Sequence, residues 1–262
     1  MYDAHPIVDG FPGKTATHGS FGWSSVWLLH DGDSAVLVDT GPPSYVPLIV
    51  HGLAAHGLAP ADVTDVLLTH SHWDHVGCVS MFPRARRWIG RAEFSWARRQ
   101  PMDVPFVSQP LLAALGEPES ALRLIDGDGE ILPGIRACEV PGHTPGHVAF
   151  LAETTRGPLL FVGDAAKNVR ELGARVIDSA LDRQVAADSI TRINDIASGA
   201  GARVVPGHDV LCSLSEDGWR RERAQTAQMQ FHHRRDEEPL VIAINDRDPA
   251  LVSVRSSDAI ES

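Results

Sequence analysis

The sequence predicts an α/β protein in which helices cover the outer faces of sheets. Three observations carry this reading. Strand-like apolar runs recur along the chain, helical patterns follow them in each half, and several runs stop at a glycine followed by a histidine or aspartate.

Trp23 to Leu29 and Ala35 to Val38 read as two strands around the turn His30-Asp31-Gly32-Asp33. Pro42-Pro43 stops the second, and Leu48 to Leu58 then has helical spacing of apolar residues, ending near Gly57. Val63 to Thr69 is a short apolar run that reads as a buried strand. Arg87 to Gly90 gives another strand and Ala92 to Arg99 a helix. The stretch from Gln100 to Pro118 carries four prolines and reads as a loop with a short helix at Leu111 to Leu115, of the kind that shapes a pocket. Strands are expected at Leu122 to Ile125, Gly134 to Val140, Val148 to Ala152 and Leu159 to Val162. Arg183 to Ala197 is helical in pattern, and Ala202 to Val205 is a buried strand. Glu216 to Glu238 is charged and expected to be helical, with Val241 to Val254 as a terminal hairpin. The chain is thus expected to be a single domain over 1–262 with an extension from about residue 215, which could serve a homodimer.

Composition narrows the function classes. With 262 residues and 43% hydrophobic content, the chain can bury a sizeable core. A net charge of −11 disfavours phosphate backbones as partners. Arg84, Arg86, Arg87, Arg91, Arg98 and Arg99 form the best basic patch, and a solvated face paired with the acidic excess accounts for it. Cys78, Cys138 and Cys212 are odd in number and far apart, which points to free thiols in a reducing compartment. No apolar run has membrane-spanning length, and the N-terminus lacks a signal-peptide pattern. A cytoplasmic enzyme acting on a small molecule is the expectation.

The sharpest feature is Thr69-His70-Ser71-His72-Trp73-Asp74-His75. Three histidines and an aspartate so close together are costly to hold without a partner. Imidazole nitrogen and carboxylate oxygen are the ligands zinc takes from sites without thiolates. Alternate residues of an extended segment point the same way, so His70 and His72 can share one metal, while Asp74 and His75 lie past a turn and can face a second. Further candidates follow other apolar runs: His143 in Pro141-Gly142-His143-Thr144-Pro145-Gly146-His147, Asp164 after Val162-Gly163, and His208 after Pro206-Gly207. A glycine before each lets the backbone turn at a crowded site. His5, His18, His30, His51, His56, His232 and His233 read as surface or satisfied core residues.

The order H-x-H-x-D-H, then G-H-T-x-G-H, then G-D, then G-H resembles the metallo-β-lactamase superfamily, over about Trp23 to His208. The resemblance implies an αββα sandwich with the site at one edge between the sheets. It implies that His70, His72 and His143 hold one zinc, that Asp74, His75 and His208 hold the other, and that Asp164 bridges them. Asp39, in Leu37-Val38-Asp39-Thr40-Gly41, matches an aspartate that supports the site by orienting ligating histidines. Two zinc ions sharing a water would lower its pKa toward ~7 and polarise a carbonyl or phosphoryl oxygen. Asp74 is a candidate proton relay as well as a ligand. The same ligands accept iron or manganese.

The segment from Gly163-Asp164-Ala165-Ala166-Lys167-Asn168 to Pro206-Gly207-His208-Asp209 looks like the acyl-homoserine lactonase branch. Those enzymes usually carry a tyrosine three residues after the bridging aspartate, whereas this chain has Lys167. A lysine there can donate to a carbonyl oxygen, bind a carboxylate or phosphate of a different substrate, or point to solvent. Gly77-Cys78 departs from the Gly-Gly of glyoxalase-type thioesterases, and His72 departs from the diiron flavoproteins. The expectation is a dinuclear zinc hydrolase that opens a lactone or cleaves an ester-type acyl bond. Phosphodiester cleavage and glyoxalase-type thioester cleavage on the same fold are the alternatives. Cys78 reads as core; Trp23, Trp27, Trp73, Phe106, Val104 and Val107 are candidate pocket walls, with plain core the favoured reading of each tryptophan except Trp73.

Overall fold

The computed structural model describes residues 1–13, 23–117, 121–174, 176–231, 240–245 and 252–256. His18, His232 and His233 lie outside them. The chain divides into two compact units, 1–220 and 221–262, where the sequence reading expects one domain with an extension.

The first unit is built on two mixed sheets. One is ordered β1 (Asp3–Val8), β2 (Val26–His30), β3 (Ala35–Val38), β4 (Asp65–Leu67), β5 (Arg86–Gly90) and β6 (Leu122–Ile125). Its first two pairings are antiparallel and the remaining three parallel. The other contains β7 (Gly129–Leu132), β8 (Ile135–Glu139), β9 (Val148–Ala152), β10 (Leu159–Gly163), β11 (Arg203–Pro206), β12 (Cys212–Ser215) and β13 (Gly218–Arg221), in the spatial order β13-β12-β11-β10-β9-β8-β7. Within it, β10 and β11 are parallel.

Strands β2, β3, β9 and β10 read as nearly continuous apolar runs because both faces are covered. Along β2 and β3, alternate residues enter different cores. Val26, Leu28, Ala35 and Leu37 pack outward. Trp27, Leu29, Val36 and Val38 pack inward against Ile135, Phe150, Leu159 and Phe161 of the other sheet. The outward core is closed by α1 (Val46–Ala54), α3 (Arg91–Ala97) and α4 (Gln109–Gly116), through Ile49, Leu53, Phe94 and Leu112 among others. On the far side, Leu160, Val162 and Val204 pack under α5 (Val169–Ala174) and α6 (Arg183–Ala200) through Leu172, Ile190 and Ile193. Helix, sheet, sheet, helix is the expected αββα order. The remaining helix, α2 (Trp73–Val76), is a single turn inside the motif segment.

Local chemistry fixes several boundaries. Asp182 caps α6 by accepting from the Gln184 and Val185 N–H groups at 3.0 and 3.1 Å. Gly201, at φ 61°, ends it in the left-handed conformation. Three of the six arginines of the patch are tied to protein partners. Arg86 makes a two-pronged pair with Asp65, Arg91 does so with Asp126, and Arg87 donates to the carbonyls of Ala114, Leu115 and Glu117. Among the described residues, no helix is long and apolar enough to cross a membrane.

The C-terminal stretch corrects one expectation. Glu216 to Glu238 is not helical where it is described: β13 and β14 (Thr226–Phe231) are strands, and 232–239 lie outside the described residues. The charged residues hid a two-residue alternation, in which half-buried Ala227 and Met229 are interleaved with exposed Gln228 and Gln230. Within the second unit β14 pairs with β15 (Leu240–Asn245), and β15 with β16 (Val252–Ser256), both antiparallel. The terminal pair matches the expected hairpin.

The Phe150 side chain sits fully buried between the sheets. Phe150→Ala should lower unfolding free energy by ~3–5 kcal/mol, measured as a shift in denaturant midpoint. A loss under ~1 kcal/mol would mean that the layer between the sheets is not tightly packed.

Candidate metal centre

Segments that are distant in sequence converge at one edge of the sandwich. The Thr69–His75 stretch leaves the end of β4, Asp164 follows β10, His208 follows β11, and His143 lies in the β8–β9 connection. The two sheets are joined here by backbone hydrogen bonds. Val148 N–H donates to the Thr69 carbonyl at 2.9 Å and Ser25 N–H to the Gly207 carbonyl at 2.7 Å.

All seven residues expected to bind metal are brought together. One donor atom from each of His70, His72, His143 and Asp164 forms a group spanning no more than 4.8 Å, and Asp74, His75 and His208 form a second such group. Asp164 faces both. Its Oδ2 is 3.3 Å from His143 Nε2, while its Oδ1 is 3.3 Å from His75 Nε2 and 3.1 Å from His208 Nε2. On the first side, His143 Nε2 lies 3.1 Å from His72 Nδ1. On the second, Asp74 Oδ2 is 3.4 Å from His208 Nε2.

The far side of the rings explains why these lone pairs point inward. Asp39 Oδ2 accepts from His75 Nδ1 at 2.7 Å and from Thr69 Oγ1 at 2.8 Å. Thr69 Oγ1 in turn lies 3.1 Å from His70 Nδ1. One carboxylate therefore orients a histidine of each group. Asp39 itself adopts φ 55°, the sole left-handed non-glycine among the described residues, so its placement is held by these contacts and by its own N–H bond to the Leu67 carbonyl. His143 Nδ1 is matched with the Ser179 carbonyl at 3.0 Å. That leaves the Nε2 atoms of His70 and His75 and Oδ1 of Asp164 buried without an aligned hydrogen-bond partner among the described residues. Buried polar atoms are rarely left so. The donor set fits divalent cations.

Electrostatics agree with this reading. Burial, and then the neighbouring imidazoles, hold His70 and His72 far below the ordinary histidine range, and burial brings His143 down to about 4. Shifts in that direction favour the neutral rings, the form that ligates a cation. Burial opposes protonation of His75 as well, but Asp39, Asp164 and Asp74 together raise it well above its usual value. Burial would raise Asp164, yet His208, His75 and His143 hold its carboxyl well below the carboxylate range.

Glycine makes room as the sequence implied. A Cβ on Gly207 would sit 2.3 Å from Asp164 Oδ1. A cavity of about 360 Å³ opens over the centre, within the range of small-molecule sites. Trp73, Asp74, Phe106, Lys167 and His208 are among its walls. Lys167 is buried, not turned to solvent; its Nζ donates to the Ser179 carbonyl at 2.9 Å and lies 3.5 Å from Glu171 Oε1. Trp27 is core against Phe161, and Trp23 stacks edge-on with Phe11. Cys78 is core, its thiol donating to the Pro42 carbonyl at 3.1 Å and pushed up to about 11 by burial.

Two supporting residues escaped the sequence reading. His147, fully buried, accepts from the Asp164 N–H at 3.1 Å and stacks on His70 with ring centroids 4.8 Å apart. Its position in the G-H-T-P-G-H motif was the available signal. Glu93, also fully buried, accepts from Ser71 N–H and Oγ–H at 3.0 and 2.6 Å and from Gly146 N–H at 3.2 Å. It ties the His70–His72 segment to the His143–His147 loop. A charged residue in a helix ordinarily reads as solvated, so nothing in the sequence marked it.

Asp39→Ala should weaken metal retention by about 10- to 100-fold, because one carboxylate orients imidazoles of both groups. Competition with a chromogenic chelator measures this. Affinity equal to that of the parent protein would remove Asp39 from that role.

Residues 20–208 match the Metallo-beta-lactamase superfamily. An N-acyl homoserine lactonase from Bacillus sp is 28% identical over 223 residues, covering 75% of this chain and 86% of that protein. The N-acyl homoserine lactonase AttM of Azorhizobium caulinodans is 31% identical over 206 residues, 68% of this chain and 76% of AttM. Among solved structures, a single-residue mutant of AiiA from B. thuringiensis, with N-decanoyl-L-homoserine bound at its active site, superposes with a TM-score of 0.61 at 26% identity, covering 71% of this chain and 82% of that one. With the ligand motifs in order and the αββα layers in place, the chain belongs to the metallo-β-lactamase superfamily.

Proposed function

We propose that the protein is a dinuclear zinc hydrolase that opens lactone rings of small acyl compounds, acyl homoserine lactones being the class its relatives indicate. The observation that carries this is the division of Asp164, with one oxygen facing His143 and the other facing His75 and His208. A single carboxylate shared between two donor groups suits a pair of cations. His70, His72 and His143 would hold one zinc, and Asp74, His75 and His208 the other. The buried thiols of Cys78, Cys138 and Cys212 support a reducing, cytoplasmic setting.

When bound, the metal pair supplies Lewis acidity, acidifying water toward neutrality and polarising a carbonyl oxygen. The chain's own groups position the reaction. Trp73 and Phe106 provide apolar wall for an acyl chain, and Phe106 lies beside the His72 ring at 5.5 Å between centroids. Lys167 fills the place where the lactonase branch carries tyrosine. Its ammonium has three donors, so the Ser179 carbonyl and Glu171 leave one for a substrate carbonyl oxygen. Water attacks the carbonyl carbon, the ring C–O bond breaks, and the ring oxygen leaves as a hydroxyl. Asp74, at the cavity wall, takes the water's proton and returns it to that oxygen.

Metal analysis should find at least two equivalents per chain, with hydrolysis lost on chelation and restored by zinc. A panel of lactones, aryl esters, thioesters and bis-aryl phosphates on metal-replete enzyme should rank a lactone first. Faster turnover of the phosphodiester or a thioester than of every lactone would reverse the reading. Lys167→Met should lower kcat on lactones by about 100-fold, as loss of an oxyanion donor does, with metal content unchanged. Unaltered kcat and KM would take Lys167 out of the reaction.

A further inference from the structure

Three histidines that belong to none of these groups meet elsewhere in the first unit. His5 lies in β1, His30 ends β2, and His56 follows α1. The antiparallel register places Asp3 opposite His30 and His5 opposite Leu28, so Asp3, His5 and His30 project from one face. Leu28 packs into the helix-covered core, so this is the face on which α1 lies. The chain turns back just beyond α1 at Gly57, φ 72°, and His56 N–H is tied to the Leu53 carbonyl at 2.9 Å. That turn sets the third ring onto the other two. Ring centroids are 4.0 Å apart for His5 and His56, 5.5 Å for His5 and His30, and 5.8 Å for His30 and His56.

The cluster stands apart from the hydrolytic centre. His30 pairs with Ala35 at the start of β3, whereas Asp39 and Thr69 follow the ends of the parallel strands β3 and β4. The two sites therefore occupy opposite ends of the same sheet.

We propose that His5, His30 and His56 form a second, separate binding site for a late divalent transition metal. One nitrogen from each ring lies within 4.8 Å of the others, and all three side chains are partly buried, not free in solvent. Donors around a tetrahedral zinc with bonds of about 2.0–2.1 Å are roughly 3.3 Å apart, a spacing that small ring rotations reach. His5 Nε2 is closed to solvent and has no aligned hydrogen-bond partner among the described residues. It lies 3.0 Å from Asp3 Oδ2, so that carboxylate is placed to add a fourth donor. Three crowded imidazoles repel one another when protonated; burial, then His5 and His30, hold His56 below its ordinary value. The neutral form is the ligating form. Imidazole donors without thiolate select zinc, copper or nickel over magnesium or calcium. A bound cation would pin the edge strand β1 to β2 and to the end of α1.

The test uses untagged enzyme whose hydrolytic centre is already filled with zinc. Titration with Cu²⁺, followed by electron paramagnetic resonance, should show one added copper per chain with hyperfine structure from several nitrogens. Zinc should stay bound. The double variant His30→Asn/His56→Asn should lose that signal, with at least about tenfold weaker copper binding, while keeping its two zincs and its hydrolytic rate. Those retained properties establish that it is folded. One equivalent should also raise the melting temperature of the parent enzyme and leave that of the variant unmoved. Copper taken up equally by both proteins, or only as zinc is released, overturns the proposal.

Discussion

Everything at the catalytic edge depends on keeping buried donor atoms, the Nε2 atoms of His70 and His75 and Oδ1 of Asp164, aimed at a common space without aligned hydrogen-bond partners among the described residues. A folded chain avoids that arrangement, since buried unpaired nitrogens and carboxylate oxygens carry a desolvation penalty. The fold sustains it by fixing the other side of three of the five rings. The Asp39 carboxylate holds His75 directly and His70 through Thr69, and the Ser179 carbonyl holds His143. The strain of a left-handed aspartate is a small cost for orienting both groups from one atom pair. The rigid sheet ends beneath supply the precision that loops alone would not.

Above that frame, Lys167 lies in the wall of the cavity. Its ammonium is moored by the Ser179 carbonyl, which also receives the His143 imidazole. The 176–181 stretch thus couples a wall of the substrate cavity to one metal-facing ring. Glu171 holds the Lys167 backbone N–H at 2.7 Å, so both ends of this residue are fixed. The ammonium brings a charge to that wall, with the Glu171 carboxylate 3.5 Å away to balance it.

Much of this was legible in sequence because the signals were of two robust kinds. Continuous apolar runs marked strands covered on both sides, and Ala35–Val38, Leu122–Ile125 and Val148–Ala152 fall where expected. Histidine and aspartate after glycine marked the strand ends that converge. What stayed hidden depended on pairing across long separations. β1 is only half-buried, so its run is interrupted by His5 and Pro6. His5, His30 and His56 are harmless singly and become notable only when register and a helix end bring them together. Glu93 looked like a solvent-facing residue, and in 216–231 the charges outweighed an alternation that belonged to strands.

The division of donors between the two halves of the sandwich has a mechanical meaning. His70 and His72 come from the first sheet and face His143 from the second; Asp74 and His75 come from the first and face His208 from the second. A cation in either position is a rivet through both halves, so its binding adds to cohesion of the entire sandwich, growing as the logarithm of the ratio of its free concentration to the dissociation constant. Folding and loading then become one cooperative event, and a chain starved of metal would be a looser body as well as an idle one.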